Sequence, residues 1–196
     1  MPYPLPAEVV YTLDAEDRIV SCGGAWNEFA RENGGRTCLA PQVVGHKLWR
    51  FITGEPTRMF LAVVLSAARV RGAPSEHDYR CDSPTFRRQL RMRLVPEAKG
   101  SVRLEHRAVR VEPLLRRVEL EMSGRTAPGG KPLVVRCSMC NRLKSERGWL
   151  EPDTGEFPFN GGRLGVVHSV CPECRESVRA VAAEVGARAA PLFRHG

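Results

Sequence analysis

The chain has 196 residues, of which 42% are hydrophobic and 27% charged, with a formal net charge of +8 at pH 7. That length holds one full domain and a small second unit rather than two large cores, and the balance reads as soluble and globular. No run approaches the roughly 18 apolar residues a membrane span needs, and MPYPLPAEVVYTLDAED lacks the basic start and apolar core of an export signal, so a cytoplasmic protein with no membrane partner is expected.

Val9 to Val20, VVYTLDAEDRIV, reads as two short strands joined by a turn through Ala15, Glu16 and Asp17. CGGAWNEFARENGG follows as a short helix with Trp26, Phe29 and Ala30 on one face, ended by two glycines. VVGHKLWRFI is a second, partly helical piece. The clearest helix covers about Pro56 to Val70, with Met59, Phe60, Val63, Val64 and Ala67 along one side and Gly72 and Pro74 closing it.

The period then changes from helical to alternating. HDYRCD is short and extended. RQLRMRLV alternates through Leu90, Met92 and Leu94, and SVRLEHRAVRVEP through Val102 and Leu104 before slipping phase near Ala108, which predicts a bulge or bend. PEAKGS between the last two is a turn between antiparallel neighbours. Strand, strand, helices, then three strands is an α+β order: a five-stranded antiparallel sheet with helices on one face.

In that order, and in the stretches YTLDAEDRIVSCGGAWNEFARENGG, VVGHKLWRFI and YRCDSPTFRRQLRMRLVP, residues 9–111 resemble a PAS domain. The resemblance implies a sensor or dimerisation module acting on a separate output protein, a homodimer, and no enzymatic step. Members of that fold often enclose a ligand between sheet and helices, and Trp49, Phe60, Val64, Leu90, Met92 and Leu104 are the candidates for its lining. The simpler reading is that these side chains fill the core. A haem would need an axial ligand, for which His77 or His106 is the candidate, but both sit among charged residues in strand-like segments and read as surface histidines. The cysteine context of flavin-binding light sensors is absent, so neither haem nor flavin is expected. Cys22 and Cys81 read as small, half-buried side chains.

Pro113 to Pro132 includes SGRTAPGG, rich in Gly and Pro and without apolar period, and reads as a linker. This divides the chain into a sensor (residues 1–112), a linker (113–132) and a cysteine module (133–196).

That module carries RCSMCNRL, with Cys137 and Cys140, answered by HSVCPECRE, with Cys171 and Cys174. Seven cysteines in a reducing compartment point to metal ligation or redox chemistry rather than disulfides. Zn(II) takes four ligands in a tetrahedron, and two Cys-x-x-Cys turns complete the shell with no open position for a catalytic water. The 30 residues between the pairs exceed the usual ribbon gap, but a longer loop adds little closure entropy. His168 could replace one cysteine or hydrogen-bond a metal-bound sulfur. Leu143, Trp149, Leu150, Phe157, Phe159 and Leu164 are too few large apolar residues to order such a segment unaided, and structural zinc supplies about 10 to 16 kcal/mol of apparent binding free energy in such units. CRESVRAVAAEVGARAA after the second pair reads as a terminal helix. A zinc-ribbon-like module is the expectation.

CSMCNRLKSERGW followed by HSVCPECRE also resembles a cysteine module that trails sensory and receiver domains in bacterial signalling proteins. Cys137, Ser138, Cys140, Trp149, His168, Cys171, Pro172 and Cys174 correspond, while Ser169 stands where a glycine is usual.

Of the 30 basic residues only Lys47, Lys99, Lys131 and Lys144 are lysine, and the arginines alternate with apolar residues as on the solvated face of a strand. The chain is therefore expected to be a non-enzymatic signal-transduction regulator. The first alternative is a zinc-ribbon nucleic-acid binder using Arg136, Arg142, Lys144, Arg147 and Arg163, with salt-sensitive binding. The second is a thiol-based redox switch.

Overall fold

The computed structural model describes residues 8–122, 133–157, 159 and 163–189. β1 (Val9–Leu13) and β2 (Ile19–Gly24) form a hairpin. Its turn is closed by Asp14, whose Oδ1 accepts the N–H groups of Glu16 at 3.0 Å and Arg18 at 2.8 Å, while Asp17 takes a φ of 61°, a conformation Asp tolerates. Then come α1 (Trp26–Glu32), the single turn α2 (Ala40–Val43) and α3 (Glu55–Arg71). The strands β3 (Ser75–Arg80), β4 (Phe86–Pro96) and β5 (Val102–Pro113) complete an antiparallel sheet of order β2-β1-β5-β4-β3.

Alternation along these strands sorts core from solvent. Leu90, Met92 and Leu94 on β4, and Val102 and Leu104 on β5, are buried. The arginines between them lie on the opposite face with acidic partners: Arg91 with Asp78 at 2.6 Å, Arg93 with Glu105 at 3.0 Å, Arg103 with Glu97 at 3.1 Å. The phase slip is a bulge, since Gln89 pairs with Arg110 and Leu90 with Ala108, leaving Val109 as the extra residue.

α3 covers the apolar face with Phe60, Leu61, Val64, Leu65 and Ala68. Met59, expected on that stripe, is 62% exposed. A helix turns about 100° per residue, which sets Met59 well away from Leu65. The C-terminal end of α3 is tied back by Arg69, which donates to Asp17 Oδ1 at 2.7 Å and to the carbonyl of Gly100 at 3.0 Å.

The second half is a separate sheet. β6 (Glu119–Met122), β7 (Val134–Cys137), β8 (Leu143–Ser145), β9 (Gly148–Leu150) and β10 (Arg163–Ser169) have the order β6-β10-β7-β8-β9, and α4 (Pro172–Ala189) follows. One expectation is corrected here. The expected linker contains β6, and Val118 just before it is buried with its N–H on the carbonyl of Pro84 at 2.8 Å; residues 123–132 lie outside the described residues. Within the module expected to be zinc-ribbon-like, β10 runs parallel to both β6 and β7. Parallel neighbours need long crossovers, which the lengths of chain from β6 to β10 and from β7 to β10 provide.

Leu143, Phe157, Leu164 and Val166 make a small core within this sheet. It does not stand alone. Met139, Val178 and Val181 pack on the core of the first sheet, and α4 lies against α3. Arg80 of β3, its side chain 9% exposed, binds both Glu151 oxygens at 2.8 Å and also pairs with Asp82. Among the described residues no helix is long and apolar enough to cross a membrane.

Candidate metal centre

The four paired cysteines converge. One sulfur from each of Cys137, Cys140, Cys171 and Cys174 lies within 4.8 Å of all the others. Cys140 Sγ and Cys171 Sγ, one from each pair, are 3.7 Å apart. A tetrahedron of sulfurs about 2.3 Å from a central zinc has edges of roughly 3.8 Å, so the donor set fits a zinc-sized cation in both chemistry and spacing.

The backbone assembles the cluster in two steps. Cys137 ends β7, and the turn after it brings Cys140 back through Asn141, which takes a φ of 61° and donates its N–H to the Cys137 carbonyl at 3.0 Å. Cys171 follows β10, and Pro172 opens α4, so that Cys174 falls in the first helical turn, where the helix dipole favours negative charge. The parallel pairing of β7 and β10, with Cys137 opposite Ser169, sets the two pairs side by side. The Ser138 N–H bonds the Ser169 carbonyl at 2.9 Å, and the Cys171 N–H points at Cys137 Sγ at 3.4 Å.

Proximity perturbs the thiols. Hydrogen bonds from Cys140 and Cys174, with further help from the backbone N–H groups of Cys171 and Cys140, hold Cys137 far below the usual thiol range. The same contacts, with Cys137 and Cys140, push Cys174 far above it. One thiolate is thus favoured at the expense of its neighbours, because thiolates packed this closely repel one another. Cys137 and Cys171 are buried, Cys140 and Cys174 half-buried.

His168 is not part of the cluster. Its Nδ1 meets Ser138 Oγ at 3.0 Å, which fixes the residue beside Cys137, and its ring lies across Gly54 at the start of α3. Burial, then the charge of Arg136, lowers its pKa and keeps it neutral. It therefore supports the ligand turn from outside, one step further from the sulfurs than a direct hydrogen bond to them.

Arg142 went unassigned as a metal-site residue. Its Nε donates to Cys140 Sγ at 3.2 Å, a second nitrogen lies 3.9 Å from Cys171 Sγ, and Glu173 sits 3.7 Å away. Four thiolates around a divalent cation would leave net negative charge, which this guanidinium would offset. A basic residue two positions after the first pair was the available signal.

The cations proposed for nucleic acid are mostly engaged. Arg136 is half-buried and donates to Asn141, Arg147 pairs with Glu156, and Arg163 with Glu119 and Glu121. Lys144 is exposed.

The expected ligand lining is corrected. An apolar cavity of about 290 Å³ lies between the first sheet and the segment from α1 to Ile52, and of the six residues proposed only Leu90 lines it. Val64, Met92 and Leu104 are core. Phe60 packs edge-on to His77, and Trp49 turns to Asp17, its Nε1 donating to Oδ2 at 3.0 Å. His106, expected on the surface, lines the cavity instead. Cys22, Cys38 and Cys81 are half-buried and stand outside the cluster.

No protein-family model matches the chain, and no curated protein matches it. Among solved structures it is similar to a domain of an HTR-like protein from Haloarcula marismortui ATCC 43049, at 15% identity and a TM-score of 0.40, over 52% of this chain and 97% of that one.

Proposed function

We propose that the chain is a non-enzymatic regulator in which a PAS-like sensing or dimerisation domain is coupled to a structural Zn(II) site formed by Cys137, Cys140, Cys171 and Cys174. The observation that carries this reading is the convergence of those four sulfurs within 4.8 Å in a module whose helix packs on the sensor-like sheet. Four protein sulfurs leave a zinc ion no position for water, so its role is organising rather than catalytic. The strand order β2-β1-β5-β4-β3, with the helices between β2 and β3, supports the PAS-like assignment. Engagement of Arg136, Arg147 and Arg163 within the fold weighs against a nucleic-acid role. The regulator acts on a separate output protein in the cytoplasm, as a homodimer.

Because Met139, Val178 and Val181 reach the first core, metal loss should be felt there. Hydrogen exchange before and after chelation tests this. Faster exchange in β7 and α4, and also in β3 and the first turn of α3, is the result expected. A change confined to residues 133–189 would contradict the coupling.

A further inference from the structure

A cleft of about 360 Å³ opens between the two sheets, bounded by the β3–β4 loop at Asp82, Ser83 and Pro84, by the chain from Leu114 to Glu121 that enters β6, and by Arg136 of β7 and Asn141 of the turn after it. The carboxylates that line it are matched within the protein. Asp82 accepts from Arg80 and from the N–H of Arg88, the latter at 3.0 Å. Glu119 is shared by Arg117 and Arg163, and Glu121 accepts from Arg163 at 2.9 Å. The lining charge left over is Arg136.

Arg136 is half-buried, and among the described residues it has no ion-pair partner: Asp82 acts on it through space, without a hydrogen bond. Its Nη2 donates to Asn141 Oδ1, which supplies a dipole but no counter-charge and fixes the guanidinium end, not only the stem, beside a residue that lines the cleft. Nη1 is neither bonded to a described residue nor sealed from solvent. Charges withdrawn from water are ordinarily paired, so this one is missing an anion. Ser83, on the first sheet's side of the cleft, adds a second donor. Its Oγ accepts the Phe86 N–H at 3.0 Å, which leaves its hydroxyl proton without an acceptor among the described residues. Pro84, Leu114, Leu120 and Pro152 make the rest of the wall apolar.

We infer that this cleft binds a small organic monocarboxylate with an apolar body, its carboxylate held by Arg136 Nη1 and the Ser83 hydroxyl. A guanidinium and a hydroxyl facing one space are matched to a carboxylate, whose two oxygens accept only. Asp82, Glu119 and Glu121 around the rim repel any further negative charge, which disfavours phosphate and dicarboxylates. The volume is at the small end of ligand pockets, enough for a substituted ring or a short chain. A guest seated there touches Ser83 of the first sheet and Arg136, the neighbour of Cys137, so it joins the two halves of the molecule at the metal-ligand turn. The inference goes beyond the function proposed above and adds to it a ligand outside the sensor-like domain.

Three probes test it: benzoate, its neutral isostere benzamide, and inorganic phosphate. Binding to the metal-loaded full chain is followed by calorimetry, and the site is located by ¹H–¹⁵N NMR of the backbone amides. Benzoate should bind about tenfold or more tightly than benzamide, the discrimination a hydrogen bond to a charged group gives, and more tightly than phosphate, with the shifts gathered at Asp82, Ser83, Arg136 and Asn141. In Arg136→Met, which keeps the stem and removes the charge, the preference for benzoate over benzamide should fall to near one. Should that variant fail to fold, the probe comparison and the shift map on the unaltered protein decide. Equal affinity for benzoate and benzamide, tighter binding of phosphate, shifts gathered elsewhere, or no binding of benzoate at millimolar concentration would overturn the inference. Zinc content of the same samples keeps the two readings apart: any of these results in protein that carries its metal strikes the cleft alone, whereas trace metal strikes the zinc-organised reading and not a benzoate preference observed beside it.

Discussion

His168 of β10 lies across Gly54, the residue that caps the N-terminus of α3: a Cβ at Gly54 would come within 3.0 Å of His168 Cδ2. The contact joins the two sheets at the point where His168 also holds Ser138 beside the first cysteine pair. Gly54 has a φ of 87° as well, so Gly54→Ala meets both backbone strain and overlap, and should cost about 2 kcal/mol or more. Urea unfolding of the single and double variants separates the two parts. In a His168→Ala background the penalty should shrink to the backbone part alone, and an unchanged penalty would mean that the ring makes no demand on Gly54.

Asp153 should be the costliest polar residue to lose at the junction of the sheets. Its side chain is 3% exposed, with Oδ1 accepting from Arg87 and Oδ2 from the N–H of Leu115, both at 3.0 Å. Asp153→Ala leaves a half-buried guanidinium short of one partner and a main-chain donor with none, at a cost of about 2 to 4 kcal/mol. Arg147→Ala is the control, because that arginine is 80% exposed beside Glu156, and such surface pairs contribute about 0 to 1 kcal/mol. Denaturant midpoints of the two variants check the contrast.

Acidification should weaken the first domain through His106. Its pKa is lowered from 6.5 to about 4 by burial, so the unfolded chain binds a proton before the folded one does. The resulting stability is fully present above the unfolded value and is lost as pH falls from about 6.5 toward 4, amounting to roughly 2 kcal/mol by pH 5. Unfolding curves at pH 7 and pH 5 should show this loss, and His106→Leu should reduce the difference by about that amount.

α4 should depend on the sheet it does not belong to. Val178 and Val181 pack on the first core, and Val178→Asp would bury a carboxylate there without a partner. Limited proteolysis should cut within α4 faster in this variant than in the parent, while Arg179→Asp, at an exposed position on the same helix, should leave the rate unchanged.

Much of this architecture was legible in the residues. Alternation through Leu90, Met92 and Leu94, and the slip near Ala108, follow from a period of two that burial enforces, and the bulge sits where the phase breaks. The cysteine pairs could be read because ligand spacing is local. The pairing of β10 with β6 and β7 was hidden, since it joins segments more than thirty residues apart and each strand is short. β6 was hidden for a related reason: ELEM carries too little apolar pattern to stand out beside SGRTAPGG. His106 is the instructive miss. Its charged neighbours Glu105 and Arg107 suggested the surface, yet the same alternation that turns Val102 and Leu104 inward, continued by two residues, turns His106 inward too.

Metal content measured together with site-resolved thiol alkylation tests the four-sulfur site most directly. Protein purified without added metal should carry about one zinc per chain, with Cys137, Cys140, Cys171 and Cys174 protected as a set, so that chelation releases the zinc and exposes all four at once. Metal at trace level, or labelling of the four cysteines at rates independent of chelator, would contradict a shared ion.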